Sequence, residues 1–101
     1  MTLRKLRRCE VTMLCMMYFP IEEVDNAVNI AELESGFLTG ARNTKGEDSR
    51  GLFQINVLAH PYLLDKNLFD PQVNVYYAAR IFKESGSWQP WKNAATKLRL
   101  L

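Results

Sequence analysis

The sequence predicts an α+β fold, predominantly helical, with one small β-hairpin. Three observations predict it. Apolar residues recur at spacings of three and four in the first third of the chain and again after residue 70. Residues 37–53 lose that period and carry Gly40, Gly46 and Gly51. Asp70-Pro71 joins a preferred N-cap to a residue favoured at the first helical position.

The elements follow in order. Leu3, Leu6, Cys9, Met13, Met16 and Met17 predict a first helix over residues 3–18, punctuated by Pro20. Ile21, Val24, Ala27, Val28 and Ala31 predict a second, from about Pro20 to Glu34, with Glu22, Glu23 and Asp25 at its positive end and Gly36 as its stop. Lys45-Gly46-Glu47-Asp48 reads as a tight turn between two short extended pieces. A short helix is expected over residues 55–60, ending near His60-Pro61. The helix opened by Asp70-Pro71 runs to about Ser85, where Gly86 stops it. Trp88-Gln89-Pro90-Trp91 reads as a turn, and residues 92–101 as a short final helix.

With 101 residues, 48% of them hydrophobic and 24% charged, the chain fits one globular domain with one core and excludes a disordered or low-complexity protein. Within it, residues 1–18 form an N-terminal helix, 19–92 a core and 93–101 a tail. No apolar run approaches the ~20 residues of a membrane-spanning helix. The basic start resembles a signal peptide, but Glu10 opens the apolar run and Tyr18-Phe19-Pro20 stands where a small-residue cleavage site belongs. The net charge of +2 divides into basic ends and an acidic middle. Basic ends favour an anionic polymer, whereas the acidic middle and the lack of a recognition motif speak against nucleic acid. Cys9 and Cys15 lie six apart, on different faces of a helix, and are expected as free thiols. The lone His60 and the lack of a CxxC pair predict no metal site, and no cofactor is expected.

Glu34 is the candidate catalytic residue. It lies three residues after Ala31 and ten after Val24, beside the apolar stripe of the second helix. Burial and the negative end of the helix dipole both disfavour an ionised carboxylate there, as a general acid near neutral pH requires.

Glu34-Ser35-Gly36-Phe37, a polar hairpin, Gly51-Leu52-Phe53-Gln54-Ile55, then Phe69-Asp70-Pro71-Gln72-Val73-Asn74 and Trp88-Gln89-Pro90-Trp91 stand in one order. This ordered set resembles the lysozyme-like superfamily, in particular the lytic transglycosylase (SLT-type) domains of bacteria and phage virions. The resemblance covers roughly residues 18–92. It implies a lysozyme-like fold, with Glu34 as catalytic acid/base, Ser35 holding the site beside it, and Gln54 lining a sugar cleft flanked by Phe53 and Asn56. Tyr77 is a further candidate for the sugar. Trp88 is a candidate for the sugar as well, with two other readings open, ordinary core packing or an indole pressed against Glu34, and Trp91 is expected mainly in the core. Animal lysozymes carry a nucleophilic aspartate where this chain has Ser49, which leaves Asp48, or Glu47 beyond it, as the possible second carboxylate. The tyrosine segment of the larger transglycosylases is absent.

The resemblance implies cleavage of the β-1,4 bond between N-acetylmuramic acid and N-acetylglucosamine in peptidoglycan. A single clear carboxylate favours lytic transglycosylation over hydrolysis. The other readings are a muramidase on the same fold, or a non-catalytic glycan-binding or virion structural module, which has no need of a carboxylate in an apolar stripe. The implied partner is the glycan strand, met by a monomer or by part of a virion or secretion assembly. The site of action is the cell wall, whether periplasmic, extracellular or virion-associated.

Overall fold

The structure, a computed structural model, describes residues 4–101. Its helices are α1 (Arg8–Tyr18), α2 (Val24–Ser35), α3 (Pro71–Ser85) and α4 (Lys92–Lys97). Single 3-10 turns precede α2 (Ile21–Glu23) and α4 (Gln89–Trp91), and a third lies at Pro61–Leu63. Three short strands, β1 (Arg42–Asn43), β2 (Ser49–Arg50) and β3 (Ile55–Asn56), form an antiparallel sheet in the order β1-β2-β3. The α+β, predominantly helical reading holds. Among the described residues no helix is long and apolar enough to cross a membrane.

The first helix begins later than its spacing predicts. The expected start at Leu3 lies outside the described residues. Residues 4–6 are extended because their backbone pairs with residues 37–39: Leu6 N–H donates to Phe37 O at 2.9 Å and Thr39 N–H to Arg4 O at 3.0 Å. A segment whose amides are taken by a distant strand cannot also close helical turns. Helix α1 then opens on a half capping box, in which Glu10 accepts from the Arg7 amide at 2.9 Å while Arg4 bridges to it at 3.1 Å. The buried stripe also differs. Val11 and Cys15 are buried, with Leu14 and Tyr18 packed beside them, whereas Met13, Met16 and Met17 are exposed. Both sets have helical spacing; the one that carries the β-branched Val11 and the small Cys15 at its centre is buried where α1 packs on α2 and α3.

The short helix predicted over residues 55–60 is instead β3 followed by a turn. Ile55 pairs with Arg50 and Asn56 with Ser49 across the tight turn Gly51–Gln54. Asn56 Oδ1 accepts from the Asp48 and Leu58 amides, both at 3.1 Å, which holds the strand and starts the following turn. The one predicted hairpin is thus a three-stranded meander.

Helix α3 starts where Asp70-Pro71 predicts, and Asp70 Oδ1 accepts from the Gln72 and Val73 amides. Its key residue is Asn74, fully buried. The Asn74 amide donates to Arg50 O and Leu68 O and accepts from Phe53 N–H, all at 2.9 Å. Gly51, at φ +77°, lies directly against this amide and against Leu68 O, so any Cβ there would collide with both. One side chain thus fastens the turn after β2 to α3. The core also holds an aromatic cluster in which Phe19 stacks on Trp88 at 5.5 Å and Phe53 meets Trp91 edge-on at 5.9 Å.

Two outcomes follow. Asn74→Ala should lower the melting temperature by at least ~10 °C, because two buried backbone groups and one partly buried one lose their partner at about 1 kcal/mol or more each; calorimetry reads this directly. Cys9 is exposed and Cys15 buried, and burial pushes the Cys15 thiol up to about 12. Thiol titration should therefore count one group in the native protein and two after denaturation.

Candidate functional site

Helix α2 delivers Glu34 to a cleft by the way it ends. Ser35 Oγ donates to Ala31 O at 3.0 Å and accepts from the Phe37 amide at 3.2 Å, while Gly36 (φ +60°) and Phe37 (φ +65°) turn the chain through the left-handed region. Ser35 is buried and its hydroxyl is spent on this turn, so its contribution is to fix the helix end beside Glu34. The turn leaves Glu34 half-buried at the mouth of a cleft of about 380 Å³. The same cleft is lined by Asn43, Ser49 and Asn56 from the strands, by Glu47 and Gln54 from the turns beside them, and by Pro90, Trp91, Lys92 and Asn93.

The Glu34 carboxyl is pushed up to about 7. Burial is the first cause, the neighbouring Glu47 carboxylate the second, and Lys97 pulls the other way. The sheet side of the cleft is held tightly. Gln54 sits at φ +48°, an unfavourable conformation for a residue with a side chain. Its amide nitrogen donates to Ala41 O and Gly51 O, both at 3.0 Å, so the oxygen is the atom it offers the cleft. Trp91 is fixed by donation from its indole to Phe53 O at 2.8 Å.

The predicted residues separate into two groups. Glu34, Gln54 and Asn56 line the cleft together. Phe53 is fully buried between Phe19 and Trp91 and supports the cleft from beneath. Tyr77 lies elsewhere, beside Tyr76 and a groove shared with Tyr18 and Gln72. Trp88 does not press on Glu34; its indole donates to Glu23 at 2.9 Å and its ring is core, so the tryptophan at the cleft is Trp91.

The acidic turn before β2 sorts its two carboxylates in the reverse of the expected order. Asp48 is caught between two guanidinium groups, Arg42 at 2.9 Å and Arg50 at 2.8 Å. The Arg50 and Arg42 hydrogen bonds hold its carboxyl well below the usual range. Asp48 is thus a sheet brace, and Glu47 is the carboxylate that lines the cleft. A signal for this was present: residues 48 and 50 share one face of an extended strand, which brings Arg50 to Asp48.

Glu34 should therefore tie stability to pH. Its folded pKa lies above the unfolded value, so the folded state holds the proton more tightly. The resulting stabilisation is complete below about 4.5 and is lost as pH rises toward about 7. Glu34→Gln should raise the melting temperature at pH 8.5 by about 3–5 °C, a gain limited by solvent screening of the wet part of the carboxylate, and should change it little at pH 4.

A family model described as a lysozyme-like domain (SLT_3) matches residues 15–93 of the chain. No curated protein and no solved structure matches it.

Proposed function

Because the chain belongs to the lysozyme-like domain family, we propose that it is a peptidoglycan glycosidase. It cleaves the β-1,4 bond between N-acetylmuramic acid and N-acetylglucosamine, with Glu34 as the general acid. The observation that carries this reading is a half-buried carboxyl, raised to about 7, at the mouth of a polar cleft. A carboxyl of that kind keeps a proton to give near neutral pH.

The chemistry starts with the Glu34 proton moving to the glycosidic oxygen as the C1–O bond breaks. Positive charge develops on the muramic acid ring, and the leaving sugar departs with a free 4-hydroxyl. The amide groups of Asn43, Gln54 and Asn56 on the sheet and Asn93 on α4 suit the hydroxyl and N-acetyl groups of such a strand. Lys92, in the same cleft, suits its carboxylates. Two routes complete the reaction. The sugar's own 6-hydroxyl can close a 1,6-anhydro ring, with the Glu34 carboxylate taking back a proton. Alternatively, water can attack, and then a second carboxylate is needed. A single clear carboxylate in the sequence pointed to the first route; Glu47 in the same cleft favours the second.

Glu34→Gln keeps the shape of the side chain but cannot give a proton. Turbidity clearing of purified cell wall should fall by ~100- to 10,000-fold, with the fold retained. A variant that keeps most of the wild-type rate would remove Glu34 from the reaction. In the wild type the rate should decline as pH rises through about 7, where Glu34 loses its proton.

A further inference from the structure

We propose that the groove between the end of α1 and the exposed side of α3 is a second carbohydrate-binding surface. Its tyrosines stack on the sugar rings of a peptidoglycan strand, and Arg80 and Lys83 take the strand's carboxylates. The groove shares no lining residue with the Glu34 cleft. Naming the strand as peptidoglycan rests on the reading above; that this groove binds sugar rests on its own residues.

Three observations carry it. First, the chain has four tyrosines, and all of them are here, whereas none lines the cleft. Tyr18 meets Tyr76 edge-on at 5.5 Å, and Tyr76 meets Tyr77 edge-on at 5.0 Å. Tyr76, first, then Glu84 and Tyr62, raise the Arg80 pKa, which places Tyr62 near the same guanidinium. Tyr62 and Tyr76 are exposed. An aromatic face is electron-rich and a sugar ring presents slightly positive C–H groups, so the two stack, and the phenol hydroxyl meets the hydroxyls of the ring. Secondly, the groove is long and pre-set. Two hollows of about 430 and 410 Å³ share Tyr18 and Tyr76 as a common wall. Each falls within the roughly 300–1,000 Å³ of ordinary ligand sites, and together they suit linked rings rather than one small molecule. Gln72 Nε2 donates to the Tyr18 hydroxyl at 2.9 Å and ties α3 to α1 at this point. That holds the ring before any ligand arrives and leaves the Gln72 oxygen to accept from a sugar hydroxyl. Thirdly, the charge is cationic and sparse. Arg80 and Lys83 line one hollow, and among the described residues neither forms an ion pair. Asp65 lines the other hollow, paired with Lys66 at 3.7 Å. Nucleic acid, with a phosphate on every residue, would set charges against Asp65 and Glu84. A glycan that carries carboxylates only on its side groups meets the cations and avoids the acids.

Two sugar sites on one domain change how it meets an insoluble wall. Once a strand lies in the tyrosine groove, the cleft meets the neighbouring sugars at a high effective concentration. Short soluble fragments that fill the cleft alone gain nothing from the groove. Loss of the groove therefore raises KM on intact wall, leaves kcat in place, and has no effect on short fragments.

The Glu34→Gln protein allows binding to be read without cleavage. Its tyrosine ring resonances, followed by NMR, should shift on adding a tetrasaccharide of alternating N-acetylglucosamine and N-acetylmuramic acid with peptide stems. Co-sedimentation with purified wall should weaken about tenfold when Tyr76→Ala is introduced, the loss of one aromatic contact. Arg80→Gln and Lys83→Gln together should weaken it several-fold and remove the preference for wall over neutral chitin oligomers, with the melting temperature held. With Glu34 intact, Tyr76→Ala should raise KM on wall about tenfold and leave kcat and short-fragment turnover in place. Shifts confined to Gln54, Asn56 and Trp91 would overturn the proposal, as would undiminished wall binding in the folded Tyr76 and charge variants. So would ring shifts that appear with the free stem peptide, with single-stranded DNA or on raising the protein concentration, and not with the glycan. A wild-type protein that binds wall through the tyrosines but releases no fragments overturns the enzymatic reading alone. One that cleaves wall while the tyrosine resonances stay unmoved overturns this inference alone.

Discussion

The Asn74 side chain, fully buried in α3, makes three hydrogen bonds to the chain around the turn after β2, and the shape of the cleft follows from them. An amide in an apolar core is costly unless every donor and acceptor is used. Here they are used on Phe53, Arg50 and Leu68 in a single arrangement. Gly51 must pass against this amide, which excludes a side chain there and bends the turn tightly enough to put Gln54 in the left-handed region. Gln54, β3 and the sheet beyond them are thereby set at a fixed distance from the helical lobe. Helix α2 belongs to that lobe, so Glu34 and the sheet residues of the same cleft are held rigidly together.

The electrostatics of the cleft follow from that mechanical arrangement. A carboxyl at the end of a helix would ordinarily bend toward water. The turn made by Ser35, Gly36 and Phe37 stops it from doing so, because Ser35 is locked to Ala31 and Phe37 and the extended residues 4–6 pin the segment that follows. Glu34 is left half-wet, with the Glu47 carboxylate lining the same cleft and Lys97 only partly compensating. The arginines that could have neutralised the acidic turn are both turned onto Asp48. The sheet therefore removes one carboxylate from the cleft and leaves the other in it.

How much of this was legible depends on the range of each interaction. Helix α3 could be read to the residue because its start signal, Asp70-Pro71, is local. The same holds for Gly36 and Gly86 as stops. The start of α1 could not, because residues 4–6 are extended only through partners more than thirty positions away. The exposed methionines of α1 and the buried Val11 and Cys15 have equivalent spacing, and only the neighbouring helices choose between them. Glu34 was legible from its place beside the stripe of α2. Trp88 and Trp91 were not separable, since both are core tryptophans three residues apart and the difference is whether the indole finds Glu23 or Phe53. The role of Asn74 was also missed, although a polar side chain between Val73 and Val75 on a buried face was a sign that it had structural partners.

The central claim is that the fold holds Glu34 protonated near neutral pH by burial and by Glu47. Titration of the Glu34 side-chain carboxyl by carbon-13 NMR measures this without substrate. The expected midpoint is about 7 in the wild type and lower in Glu47→Gln, where the burial remains but the neighbouring charge is gone. A midpoint in the ordinary glutamate range, near ~4.3, with no response to the loss of Glu47, would contradict it.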